Sequence, residues 1–192
     1  MTNTITRQDL IPLSTYRRGR EEYLQKMITY KNNRRIQLSE HISLLFENRN
    51  TVLFQIQELV NCEDLEDPQE IDEYIDIYSD MIPNESELSA TLFIELDDQS
   101  KLSDLLVSLK GIEHHLMMMV ENEEVPAVFE EVHDDREFTT SVHYLKFPMT
   151  QNAKNLFSNG PTDVALILNH PNLTVKIALT PQSIKSLQKD LA

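Results

Sequence analysis

Two groups of side chains in this sequence could do chemistry: a polar corner spanning residues 47–58, and six histidines. In the corner, Thr51, Gln55 and Glu58 recur at spacings of four and three, which puts them on one face of a helix. Glu47 and Arg49 come immediately before that face, and Gln57 adjoins it. A guanidinium offers a bidentate fork, an amide offers both donor and acceptor, and the first turn of a helix attracts anions. The corner therefore suits the phosphate or carboxylate of a small anionic metabolite. The same residues could instead organise a strand-to-helix passage, with Glu47 paired to Arg49 and the glutamines bonded to nearby backbone. Arg34 and Arg35, just upstream, could contact an anionic partner or balance an acidic body.

Imidazole is the commonest side-chain ligand for zinc, iron and related metals. No two histidines here have the i, i+4 spacing of a helical ligand pair. His114 alternates with Ile112, Leu116 and Met118, and His143 with Leu145 and Phe147, so both are expected to point inward from separate strands. With Glu113, His41 or His170 beside them, they would form a three-ligand nitrogen and oxygen site for zinc or iron. Taken singly, each inward histidine reads as a hydrogen-bonded core residue. His133 falls in an acidic segment and is expected to be solvated. The run Met117, Met118, Met119 could bind a soft metal or fill gaps in a core, and packing is the simpler reading. Cys62, alone in the sequence, can form neither an internal bridge nor a multi-thiolate site. With three glycines there is no Gly-rich phosphate loop, and neither a Ser-His-Asp order nor a His-Glu-x-x-His motif is present.

These residues are positioned by elements whose periods can be read along the chain. A helix is expected over 14–31 and a half-buried strand over 36–46, folded into a hairpin near Glu40. Helical spacing returns over 51–61 with Asn50 as its cap. Another helix starts at Asp67 and Pro68, where an acid cap and a proline in the first turn suit the free N–H groups. Leu88 to Leu96 resume the period of two, and 100–110 reads as a helix that Gly111 closes in a left-handed conformation. Strands are expected over 112–120, 139–147, 164–168 and 173–179, with a hairpin arm or loop over 121–137. A short helix over 150–158 should end at Gly160, and Thr180 with Pro181 should open a last helix. Strands joined by short turns and mixed with helices imply a single α+β domain over 1–192, with helices packed on a mainly antiparallel sheet. Residues 1–13 are expected to be flexible.

The charge is unevenly spread. Residues 1–35 hold eight Lys/Arg against three Asp/Glu and the remainder nine against twenty-nine, so a +5 start meets a −20 body. Between residues 50 and 100 there is no Lys, Arg or His. Such a surface repels polyanions, which argues against a nucleic-acid partner. It suits either solubility or docking on a partner protein. No apolar run approaches the roughly 20 residues of a membrane span, and the N-terminus lacks the basic-then-apolar pattern of a secretory signal, so a cytoplasmic location is expected.

The block Leu44 Leu45 Phe46 Glu47 Asn48 Arg49 Asn50 Thr51 Val52 Leu53 Phe54 Gln55 Ile56 Gln57 Glu58 resembles the signature of a bacterial domain-of-unknown-function family. Further blocks that resemble it are Leu88 to Glu95, Gly111 Ile112 Glu113 His114, Val142 to Phe147, and His170 Pro171, so the likeness extends over nearly the whole chain. Ser39 Glu40 His41 departs from it, since that family tends towards Gly-Pro-His. The resemblance implies a redox or peroxide-defence context, because genes of the family are often found beside rubrerythrin-like proteins and heterodisulfide-reductase-like iron–sulfur subunits. The function expected first is a non-catalytic accessory protein that docks on such partners. A small metal-dependent enzyme using His114 and His143, and a binder of an anionic metabolite at Arg49 and Gln55, are the alternatives.

Overall fold

The computed structural model describes residues 4–159 and 163–191. The alternating apolar residues after Arg34 form the hairpin of β1 (Arg35–Gln37) and β2 (Ile42–Glu47). β2 pairs with β3 (Glu87–Ile94), which pairs with β7 (Val142–Pro148), and β7 carries the two-residue β6 (Val128–Phe129), giving a five-stranded sheet of order β1-β2-β3-β7-β6. A second sheet has the order β5-β4-β8-β9, built from β4 (Leu116–Val120), β5 (Glu123–Pro126), β8 (Val164–His170) and β9 (Leu173–Ala178). Every pairing is antiparallel. The fold is therefore α+β and antiparallel as expected, though built on two sheets.

The core lies between the inner faces of these sheets. Ile36, Leu44, Leu92 and His143 are in register across β1, β2, β3 and β7, so the period of two delivers a histidine into an otherwise aliphatic row. Phe46, Leu145 and Phe147 on that face share one apolar cluster with Met118, Leu166 and Leu168 of the second sheet. Helices α4 (Gln99–Ser108), α5 (Gln151–Ser158) and α6 (Pro181–Leu187) pack against the same core. Each large apolar side chain buried there contributes roughly 1.5–3 kcal/mol. The methionine run divides by strand parity: Met118 is buried in the core, whereas Met117 and Met119 are half-buried on the opposite face.

The other face of the five-stranded sheet carries buried polar residues, among them Ser43, Glu47, Ser89 and Thr91. Over it lie α2 (Arg49–Cys62) and α3 (Pro68–Ser79), whose Val52, Ile56, Val60 and Ile75 form a second apolar cluster that includes Tyr144 of β7. α1 (Leu13–Asn32) packs along α2. Of the segment expected to be flexible, residues 4–13 pack into this layer and residues 1–3 lie outside the described residues. Ile5 is buried in the second cluster, and Arg7 pairs with Asp72 of α3 at 2.8 Å.

Several local signals act as their chemistry dictates. Asp67 caps α3 by accepting from the Gln69 N–H at 2.7 Å, and Gly111 takes a left-handed φ of +83°. The α2 cap is Asn48 rather than Asn50. Asn48 has extended backbone and accepts from the N–H groups of Asn50 and Thr51 at 3.0 and 3.2 Å, so the helix begins one residue beyond it. The acidic segment after Val120 makes β5 and β6 before an irregular stretch. Gly160, expected to close α5, lies outside the described residues. Among the described residues no helix is long and apolar enough to cross a membrane.

Candidate metal centre

Three segments bring Glu113, His133 and His143 together. The first follows α4, where the left-handed Gly111 reverses the chain into a 3-10 turn over Ile112–His114. A turn of three residues does not alternate in and out as a strand would. It buries Ile112 and Glu113 and turns His114 outward, where its Nε2 meets Asp134 at 2.8 Å. The expected inward strand position of His114 is thereby corrected, because β4 begins only at Leu116. The second segment is β7, whose register with β3 fixes His143 opposite Leu92. The third is the irregular stretch between β6 and β7, which carries His133 inward. Expected in solvent, His133 is 5% exposed, comparable with Glu113 at 5% and His143 at 4%.

Each of the three offers a ligand atom, and these atoms lie within 4.8 Å of one another. Bonds of about 2.0–2.2 Å from zinc to nitrogen and oxygen place neighbouring ligands roughly 3.0–3.5 Å apart, so small side-chain rotations would bring all three onto one ion. Two threonines knit the donors together. The Thr139 hydroxyl donates to Glu113 Oε1 at 2.9 Å and lies 3.0 Å from His143 Nε2. The Thr140 hydroxyl is 3.3 Å from His133 Nε2 and 3.4 Å from His143 Nε2, and its carbonyl is 3.0 Å from the latter. Phe129 stands edge-on to the His143 ring, with centroids 5.4 Å apart. Burial pushes the His143 pKa down, against the opposing pull of the Glu113 carboxylate. The neutral imidazole so favoured is the form that binds metal.

Family membership follows from the chain as a whole. A model of DUF3501, described as a protein of unknown function, matches residues 4–191. The chain belongs to the DUF3501 family. It is similar to a crystal structure of a novel protein of unknown function from Burkholderia pseudomallei K96243, with a TM-score of 0.91 and 30% identity over 98% of this chain and 100% of that chain. None of the curated proteins matches the sequence.

In this DUF3501 chain the other expected metal ligands are engaged elsewhere. His170 Nε2 lies 2.9 Å from the Lys110 carbonyl and its ring meets His115 edge-on. His41 sits in the β1–β2 turn, 3.9 Å from the Glu40 carboxylate. Of the five expected residues, Glu113 and His143 converge. His133 completes the set, and neither periodicity nor a spacing motif marks it.

The polar corner of the DUF3501 chain is an internal clasp. Arg49 reaches Asp9 at 2.6 Å and the Thr4 carbonyl at 3.3 Å. Gln57 accepts from the Ile11 N–H at 2.7 Å and donates to the Ile11 carbonyl at 3.1 Å. Glu58 accepts from the Tyr16 hydroxyl and from both Arg20 donors, between 2.6 and 2.9 Å. Thr51 accepts from the Asn48 N–H, and Gln55 lies beside the Tyr144 phenol. Glu47 pairs with the Thr91 hydroxyl at 2.8 Å rather than with Arg49. Arg34, fully buried, binds the Phe46 and Glu47 carbonyls and Asp190, while Arg35 binds Ser43 and lies over Phe93. A groove of about 1020 Å³ between β9 and α6 contains none of these residues.

Proposed function

We propose that this DUF3501 protein binds a divalent transition metal, zinc or iron(II), through Glu113, His133 and His143. The observation that carries this reading is the meeting of three buried donors from three separate segments within 4.8 Å. A buried carboxylate and imidazoles are unfavourable unless they are paired or bind a metal, and two imidazoles with one carboxylate match zinc and iron(II). Thr139 supplies the hydrogen bond that a metal-ligating carboxylate ordinarily receives from its surroundings.

Burial of all three donors favours metal binding in an accessory protein over turnover of a substrate at an open site. The family resemblance adds an iron–sulfur or rubrerythrin-like partner, for which the acidic stretch between residues 50 and 100 offers a docking surface. Co-purification with such a protein at low salt is expected, and its absence removes the partner but not the metal.

Metal analysis tests the site itself. Protein prepared without a histidine tag and reconstituted with zinc or, anaerobically, iron(II) is expected to retain close to one equivalent. His143→Ala is expected to lose it. Retention by the wild-type protein below about a tenth of an equivalent overturns the reading.

A further inference from the structure

The stretch between β6 and β7 is fastened at its two roots. At one, the Glu130 N–H donates to the Tyr144 carbonyl at 2.9 Å. At the other, Thr139 donates its N–H to the Leu106 carbonyl at 3.2 Å and its hydroxyl to Glu113. Between them, residues 131–138 have no regular structure, and Val132 and Phe138 turn their apolar side chains outward. The hydrogen bonds holding this span down are weak or exposed. Asp134 meets His114 where both side chains are about half exposed or more, and His133 Nε2 reaches the Thr140 hydroxyl only at 3.3 Å, beyond the usual 2.7–3.2 Å range for N–H to oxygen. The Glu131 carboxylate, 3.8 Å from the same ring, belongs to the span itself.

His133 is therefore a buried imidazole whose ring lacks a close hydrogen bond to the body of the domain, yet it faces two donors that belong to that body. Glu113 is set by the turn after α4, and His143 by the strand register. We propose that a metal ion held by Glu113, His133 and His143 latches residues 131–138 as a flap over the centre, so that metal occupancy sets how often the flap is open. This rests on the metal-binding reading above. A ligand that bonds both the flap and the body favours the closed arrangement by its differential affinity for it. The same closure shields the centre from water, and flap opening gives the ion its route in and out.

Hydrogen exchange of the full-length protein, measured with zinc and with chelator, tests the latch, with calorimetry on the same samples reporting whether zinc binds. Zinc is expected to slow exchange of the hydrogen-bonded amides of the flap and its roots, Arg136, Glu130 and Thr139, by about tenfold or more, while α1 is unchanged. In His133→Gln, zinc is expected to bind more weakly through the remaining pair, and at saturation the flap should still exchange at its metal-free rate. Zinc binding near one equivalent with unchanged flap exchange in the wild-type protein overturns the latch and leaves the metal site standing. Absence of binding by both zinc and, anaerobically, iron(II) overturns both. The wild-type protein alone, with and without zinc, gives the deciding comparison whether or not the variant folds.

Discussion

The Thr139 hydroxyl donates to Glu113 Oε1 across 2.9 Å and lies 3.0 Å from Nε2 of His143, joining the turn after α4 to β7 through one fully buried oxygen. Thr139→Val keeps the shape and removes the hydroxyl, leaving a buried carboxylate without its donor. A loss of about 1–3 kcal/mol is expected from urea unfolding of the metal-free protein. Zinc affinity measured by calorimetry should fall by about 10–100-fold, as when the hydrogen-bond partner of a metal-binding carboxylate is removed. An unchanged affinity would mean that Thr139 does not orient the carboxylate.

Arg34 joins the end of α1 to β2 and to the C-terminus. It pairs with Asp190, itself nearly buried, and binds the carbonyls of Phe46 and Glu47. Arg34→Met would leave the Asp190 carboxylate without its cation and bonded to the Asn48 amide, at an expected loss of about 3–5 kcal/mol. Chemical denaturation gives the magnitude, and faster hydrogen exchange across 181–191 should locate the damage.

Gln57 binds both backbone groups of Ile11, so one side chain fastens the N-terminal layer to α2. Gln57→Leu leaves that N–H and carbonyl unpaired, with an expected loss of about 1–3 kcal/mol. Brief trypsin treatment should then cut sooner at Arg7. Equal cutting in both proteins would show that the Arg49–Asp9 and Arg7–Asp72 pairs and the packing around Ile5 hold the segment without Gln57.

Glu58 gives the clasp a pH signature. Its carboxylate accepts two hydrogen bonds from Arg20 and one from Tyr16, and these, with the nearby Arg20 and Lys31 charges, hold its pKa below the ordinary glutamate range against the opposing effect of burial. A depressed acid stabilises the fold at pH above its unfolded value, about 4.3, and that contribution disappears as the pH falls through the lower folded value. Urea midpoints should therefore decline as the pH drops below the ordinary glutamate value. Glu58→Gln should be less stable than wild type near neutral pH and should flatten the decline, and parallel pH profiles would remove Glu58 as its source.

The fold was legible wherever one period governed one element. The alternation through Ile42, Leu44 and Phe46, the Asp67–Pro68 start and the left-handed Gly111 each depend on neighbours in sequence and each is found, although β2, expected to be half-buried, is buried on both faces because helices cover its polar side. The metal centre was legible only in part. His143 inherits its direction from strand parity, so its inward aspect could be read. His114 could not, because the strand read from the alternation begins with a 3-10 turn that sends His114 out and Glu113 in. His133 has no periodic context, and only the way the chain returns to β7 brings it inside. The polar corner shows the reverse limit. Its donors and acceptors were evident, yet their partners in the N-terminal segment and α1 lie some forty residues away, beyond the reach of local pattern.

The five-stranded sheet ends on β1 and β6, strands of three and two residues, and the outer strand β5 of the second sheet finishes on Pro126, which has no N–H to offer. An incoming chain that tries to add itself along these borders finds too few free backbone groups to template growth. Three of the four sheet margins are thus poor templates for fibre-like stacking at high concentration, independently of the repulsion that comes from negative charge, and the six-residue β9 is the fourth.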